Sequence, residues 1–373
     1  GSIGERCESC IESKRKADKA PKTISRYVRS GEVLAEFFGA DRKLSTITPE
    51  DAEEFILLLK DMPVMTKKAF RGKTIREAIA LANRSGNEPR ASAKRICDLY
   101  DDAKSMLHFA IGRRWIDFSP FAGRHLLDQL PRVKKRVRKQ FSEEELSRLF
   151  SSRMFLDQRE GQHCGDPPRG GKYWVPLICL FQGFRQDEAC SVRLEDLDED
   201  LEVPTIWIRE LEENGKRVIR TKNDKTNRKV PLHPTLIDLG FLAFIRARRE
   251  SGLIGRLFPE FKANKDGKFN GAMSKWFPRL VEDVLELEDR EPGEKTFHTL
   301  RHTFTDALRA AEIPSDIRAF LGGRADGRAD EGGCTSEGLY GEGYPQEILL
   351  KHLRKVRFAG IDFSPLLPVE GSA

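Results

Sequence analysis

The stretch His298-Thr-Leu-Arg301-His302 puts an imidazole and a guanidinium three positions apart, and in a helix such residues share a face. Arginine offers a planar fork that matches two phosphate oxygens, and histidine holds or passes a proton near neutral pH. Phe304, Ala307, Leu308 and Ala311 follow at helical spacing and form the apolar stripe that would bury this helix. Further on, Tyr340 in Gly338-Leu-Tyr-Gly341 carries a hydroxyl able to act as a nucleophile. Phosphate chemistry is what these residue types could do, provided other cations join them.

The rest of the chain must supply the elements that hold them. With 373 residues it has mass for two or three domains, and 39% hydrophobic with 33% charged residues describes a soluble protein. No apolar run approaches a bilayer span and the N-terminus has no signal-peptide core, so a cytoplasmic, nucleoid-associated setting with reduced thiols is expected. A net charge of +6 is only mildly basic, so the local distribution of charge says more than the total. Cys7-x-x-Cys10 has no second pair at zinc-site spacing, so no metal is expected there, and Cys179 and Cys190 read as small core residues.

Residues 1–22 are polar and rich in Lys and Arg, and read as a mobile arm. An amphipathic helix starts at Thr23, with Ile24, Tyr27, Val28, Leu34, Phe37 and Phe38 on one side. Thr48-Pro49-Glu50-Asp51 is a second helix start, and the spacing predicts further helices over about 74–84 and 92–113. This all-helical domain closes near Trp115–Pro120. Pro131–Gln140 is the densest basic run, holding Lys134, Lys135, Arg136, Arg138 and Lys139 between two domains. Phe141-Ser142-Glu-Glu-Glu145-Leu146 is a capping box with a hydrophobic staple, and it opens the second domain. There an apolar helix over Tyr173–Gln182 ends at Gly183. β-Branched runs follow at 204–209, 217–220 and 229–232, with Asn214-Gly215 as a hairpin turn joining the first two. A polar turn with Lys222 and Lys225 joins the second and third, and the chain is then helical to about Val356. The fold class expected is mainly α with a small antiparallel β-sheet.

Taken in order, Gly183-Phe-Arg185-x-x-Glu188, Thr221-Lys222 with Lys229-Val-Pro-Leu232, His298-x-x-Arg301-His302-Thr-Phe, and Leu321-Gly-Gly with Leu339-Tyr340-Gly resemble the motifs of the tyrosine recombinase (phage integrase) family. The resemblance extends over roughly residues 23–357. It implies a two-domain DNA clamp: a helical core-binding (SAM-like) domain at 23–125, a basic linker at 126–140, a catalytic domain at 141–357 and a C-terminal tail at 358–373. It further implies double-stranded DNA as partner, a homotetramer in which tails pack on neighbouring protomers, and accessory DNA-bending proteins. No metal, ATP or other cofactor is implied. The first reading is a site-specific recombinase or integrase of a mobile element, working through a 3′-phosphotyrosine. A type IB-like topoisomerase and a catalytically impaired DNA-binding accessory protein are the alternatives.

In that reading Arg185 and Arg301 clamp the non-bridging oxygens, where donors must meet the charge that builds during attack. Tyr340 attacks phosphorus, Lys222 protonates the leaving oxygen, and His298 assists proton transfer or positions the phosphate. Glu188 braces Arg185 or Lys222, and His302 packs behind the site. Two departures stand out. The family's usual His or Trp position falls on Gly323, with Arg324 the nearest substitute, and the segment Arg324–Gly338 is longer and richer in Gly and Asp than the family's link, reading as a flexible loop. Tyr340 is preferred to Tyr344, which precedes Pro345, and Lys222 to Lys225; both alternatives stay open.

Overall fold

The computed structural model describes residues 1–133, 140–160, 169–209, 211–213, 216–219, 227–264, 267–286, 295–323, 344–358 and 360–368. The chain divides into two compact units, Gly1–Arg136 and Val137–Ala373. Among the described residues no helix is long and apolar enough to cross a membrane.

The first unit is helical: α1 (Ile3–Lys16), α2 (Pro21–Phe38), α3 (Pro49–Asp61), α4 (Ile75–Ser85), α5 (Ala93–Gly112) and α6 (Arg124–Gln129). Side chains set the helix starts. Thr48 with Asp51 and Thr74 with Glu77 form reciprocal capping boxes, and Pro49 occupies the first helical position, where its missing N–H costs nothing. Phe38, Phe55, Tyr100 and Phe121 meet in the core, Tyr100 also donating its hydroxyl to the Phe121 carbonyl at 2.8 Å.

The expected mobile arm at 1–22 is corrected here. Ser2 caps α1 against Glu5, and Ile3, Cys7, Cys10 and Ile11 form a buried stripe on that helix. Four apolar positions at helical spacing outweigh a polar average, because only one face has to be buried. Cys7 and Cys10 are therefore core thiols, with burial pushing Cys7 up to about 12 and raising Cys10 as well.

The second unit wraps a larger core around one helix. Its elements are α7 (Glu143–Phe150), α8 (Arg153–Glu160), α9 (Gly171–Gln182), α10 (Gln186–Cys190), strands β1 (Leu197–Asp198), β2 (Thr205–Ile208), β3 (Leu211–Glu213), β4 (Lys216–Ile219) and β5 (Arg228–Pro231), then α11 (Pro234–Asp238), α12 (Phe241–Glu250), α13 (Gly271–Leu285), α14 (Phe297–Ala310), α15 (Ser315–Leu321) and α16 (Gln346–Leu353). Helix α9 is apolar all round and buried over nearly its whole length, which is what a central helix requires. The fold is mainly α with a small antiparallel sheet.

One expectation changes in this unit. The runs near 204–209 and 217–220 do not pair across Asn214-Gly215. Instead β2 pairs with β5, β1 adds outside β2, and β3 pairs with β4, giving one hairpin nested inside another pairing. The physical reason is burial: Ile206 and Ile208 on β2 and Val230 on β5 face one core, and register follows the buried face. The C-terminal tail, as far as it is described, packs on its own unit. Leu366 is fully buried, and the Phe363 ring lies 5.7 Å from Phe150 and 5.0 Å from Phe181.

Candidate active site

Helix α9 ends because Gly183 turns left-handed (φ +62°), a conformation that costs any residue with a Cβ. Space demands glycine too: a Cβ there would sit 2.1 Å from Cδ1 of Phe304, so α14 packs directly on the backbone of this turn. The next residues, Phe184 and Arg185, lead into α10. The Arg185 N–H donates to Glu188 Oε2 at 2.9 Å, closing a one-turn cap. Buried Gln182 ties this corner to the sheet, donating Nε2 to the Pro231 carbonyl (3.0 Å) and accepting the His233 N–H (2.9 Å).

Helix α14 approaches from the other side. Thr296 caps its start, and Lys295 just before it forms an ion pair with Glu145 in the first turn of α7. Phe297, Leu300, Phe304 and Leu308 are buried, so the predicted apolar stripe is real and Arg301 is carried into the interior with it. Arg301 donates Nη1 to the Gly183 carbonyl (2.7 Å) and Nη2 to the Gly322 carbonyl. Arg185 donates Nη2 to the next carbonyl, Gly323 (2.8 Å), and Nη1 to Glu188 Oε1 (2.6 Å). The two guanidiniums that the sequence placed far apart thus hang from successive carbonyls at the end of α15. His298, one turn before Arg301, is exposed, with its ring edge-to-face against His302 at 4.6 Å.

Glu188 does more than a helix-starting acid would. Its side chain is 8% exposed and touches two guanidiniums, Arg185 on Oε1 and Arg228 on Oε2 (3.1 Å). Burial alone would raise this carboxyl, but Arg228 and then Arg185 more than offset it and hold the pKa at about 2. Arg228 is the residue that sequence reading missed. Its signal was alternation: Arg228 and Val230 share the inward face of β5, with buried Leu232 just beyond it, so a cation at the first position had to be buried beside them.

Of the remaining sequence-predicted residues, Tyr340, Lys222, Lys225, Arg324 and the basic run Lys134, Lys135, Arg136, Arg138 and Lys139 lie outside the described residues. Tyr344 is described: it donates its hydroxyl to Asp316 Oδ2 at 2.6 Å, and its ring is edge-on to Phe320 at 5.3 Å. Asp316 stands in the first turn of α15, about 9 Å of helix rise from Gly322. The Tyr344 hydroxyl is therefore held at the opposite end of α15 from the two guanidiniums.

No family model and no curated protein matches this sequence. Solved structures do. The Tn1549 transposon integrase in complex with a circular intermediate DNA aligns over 87% of this chain and 92% of that one, at 17% identity and a TM-score of 0.57. A lambda integrase dimer bound to a COC′ core site aligns over 89% of this chain and 97% of that one, at 13% identity and a TM-score of 0.52. The fold is thus one that integrases share. At these identities the likeness extends to the fold alone.

Proposed function

We propose that this protein is a site-specific DNA recombinase of a mobile element, an integrase that cuts and rejoins DNA through a tyrosine. The observation that carries the reading is the pairing of Arg185 and Arg301 on the Gly322 and Gly323 carbonyls, with His298 exposed one turn away. Two cations fixed on the backbone meet a scissile phosphate with little reorganisation, and that preorganisation is where most of the stabilisation of a charged transition state comes from. The integrase fold agrees with this use.

In the proposed step the Tyr340 oxygen bonds to phosphorus as the bond to the 5′ oxygen breaks. Lys222 gives its proton to that leaving oxygen, and His298 takes up or relays the tyrosine proton. The product is a 3′-phosphotyrosine and a free 5′ hydroxyl. The ester keeps the energy of the broken bond, so attack by a 5′ hydroxyl reverses the step without ATP and without a metal. Both units, Gly1–Arg136 and Val137–Ala373, would contact double-stranded DNA, with the cations at 134–139 on its phosphates. A tetramer on two duplexes, with DNA-bending proteins as helpers in the cytoplasm, completes the reading. Tyr344 is disfavoured as the nucleophile by its bond to Asp316.

A nicked duplex bearing the element's end tests this, since loss of the short strand traps the cleaved state. Wild type is expected to give a denaturation-resistant protein–DNA adduct that Tyr344→Phe keeps and Tyr340→Phe abolishes. Loss only with Tyr344→Phe would move the nucleophile by four residues. A wild type that binds the site but forms no adduct would overturn the enzyme reading in favour of an accessory DNA-binding protein. An adduct formed equally on any duplex, with relaxation of supercoils, would favour the topoisomerase.

A further inference from the structure

We propose that Arg228 is a positioning residue for strand cleavage: it fills the space opened by Gly323 and, through Glu188, fixes the direction in which Arg185 presents its guanidinium. The proposal rests on the strand-cleavage reading above and adds a residue to it.

The geometry is a closed circuit. Arg228 Nη2 donates to Glu188 Oε2 at 3.1 Å, Glu188 Oε1 accepts Arg185 Nη1 at 2.6 Å, and Arg185 Nη2 donates to the Gly323 carbonyl at 2.8 Å. Gly323 in turn lies against Arg228: a Cβ built there would be 2.4 Å from Arg228 Nη1 and 2.5 Å from Cζ. The end of an arginine can often swing aside. Here it is 2% exposed, paired with Glu188, and 5.3 Å from the Phe184 ring centroid, so moving it would strand a buried carboxylate. Gly323 is also left-handed (φ +54°), which favours glycine again. The chain therefore has a guanidinium where a side chain at position 323 would otherwise lie. That guanidinium is sealed from solvent and reaches Arg185 through the carboxylate between them.

A carboxylate with one cationic neighbour can rotate with it; caught between two, it is fixed in plane. Misplacing a phosphate-clamping group by about 1 Å costs on the order of 100-fold in rate. Arg228→Met is therefore expected to leave affinity for an uncleaved site within about twofold while single-turnover adduct formation falls about 100-fold. Arg228→Lys, which keeps a charge but not the fork, should fall between. The pH profile supplies a readout that a merely structural role would not move. The groups facing Glu188 are Arg228 from β5, Arg301 from α14, Cys179 from α9, and Arg185 on its own element, with Asp187 adjacent. Removing Arg228 leaves burial less opposed, so the Glu188 carboxyl rises and the variant's cleavage gains an acid limb absent from wild type. Glu188→Gln in the Arg228→Met background removes that limb.

A double-mutant cycle on thermal stability tests the shared space without any catalysis. Gly323→Ala is expected to destabilise wild type more than it destabilises Arg228→Met. Additivity in that cycle, or an adduct rate unchanged in both Arg228→Met and Arg228→Lys, overturns the proposal and leaves the strand-cleavage reading standing. No adduct from wild type on a bound site overturns that reading, and this role falls with it.

Discussion

Glu188 stays ionised in surroundings that would ordinarily protonate a carboxyl group, and two arginines are the reason. Because its pKa is about 2 in the folded chain against an ordinary 4.5, the unfolded chain takes up the proton first on acidification. The stability it contributes is full above pH 4.5 and lost as the pH falls toward 2. His233 works in the same direction in another window. It caps α11 by accepting the Thr235 N–H on Nδ1 (3.2 Å), and burial pushes its pKa down to about 4 from 6.5. Its contribution, on the order of 3 kcal/mol, is present above pH 6.5 and lost as the pH falls through 4. Urea midpoints measured against pH should therefore show two acid limbs. His233→Gln is expected to flatten the one between pH 6.5 and 4, and Glu188→Gln the one below pH 4.5.

Among elements, the α9–α14 contact at Gly183 is the one on which the site depends. Gly183→Ala would place a Cβ in a left-handed residue and against Phe304, together costing about 3 kcal/mol. A lower melting temperature, together with slower adduct formation because Arg301 loses its carbonyl partner, is the expected result. Much of this was legible beforehand. Thr48-Pro49, Ser142-Glu145 and the stripe after His298 declare helices through local chemistry, and local chemistry is what sequence records best. Helix α1 was hidden because its four buried residues are diluted by charge. The pairing of β2 with β5 was hidden because Asn214-Gly215 states where the chain turns, without stating which strand the inner residues leave for a neighbour. Arg228 was hidden because a buried cation makes sense only once Glu188 stands opposite it, forty positions away in sequence. The carbonyls that Arg301 holds have no side-chain signature at all.

At the scale of the whole molecule, the modest net charge of +6 says little, whereas the five cations at 134, 135, 136, 138 and 139 are concentrated enough that, in the proposed DNA-binding role, they would release condensed counterions. Replacing all five by Ala is expected to flatten the slope of log affinity against log salt by about 4.5, at about 0.9 per phosphate lost. Titrations of any duplex at several salt concentrations check this. An unchanged slope would show that the run does not touch the backbone.

Both arginine tethers end at Gly322 and Gly323, ahead of the long glycine- and aspartate-rich stretch that leads to Tyr340. Residues inserted in sequence after Gly323 would leave the tethers where they are, because both carbonyls precede the insertion. In sequence, the two guanidinium tethers and the proposed nucleophile Tyr340 thus lie on opposite sides of that stretch. On the proposed reading, a change in the length of that stretch would alter how the tyrosine is delivered and leave the two arginine tethers intact.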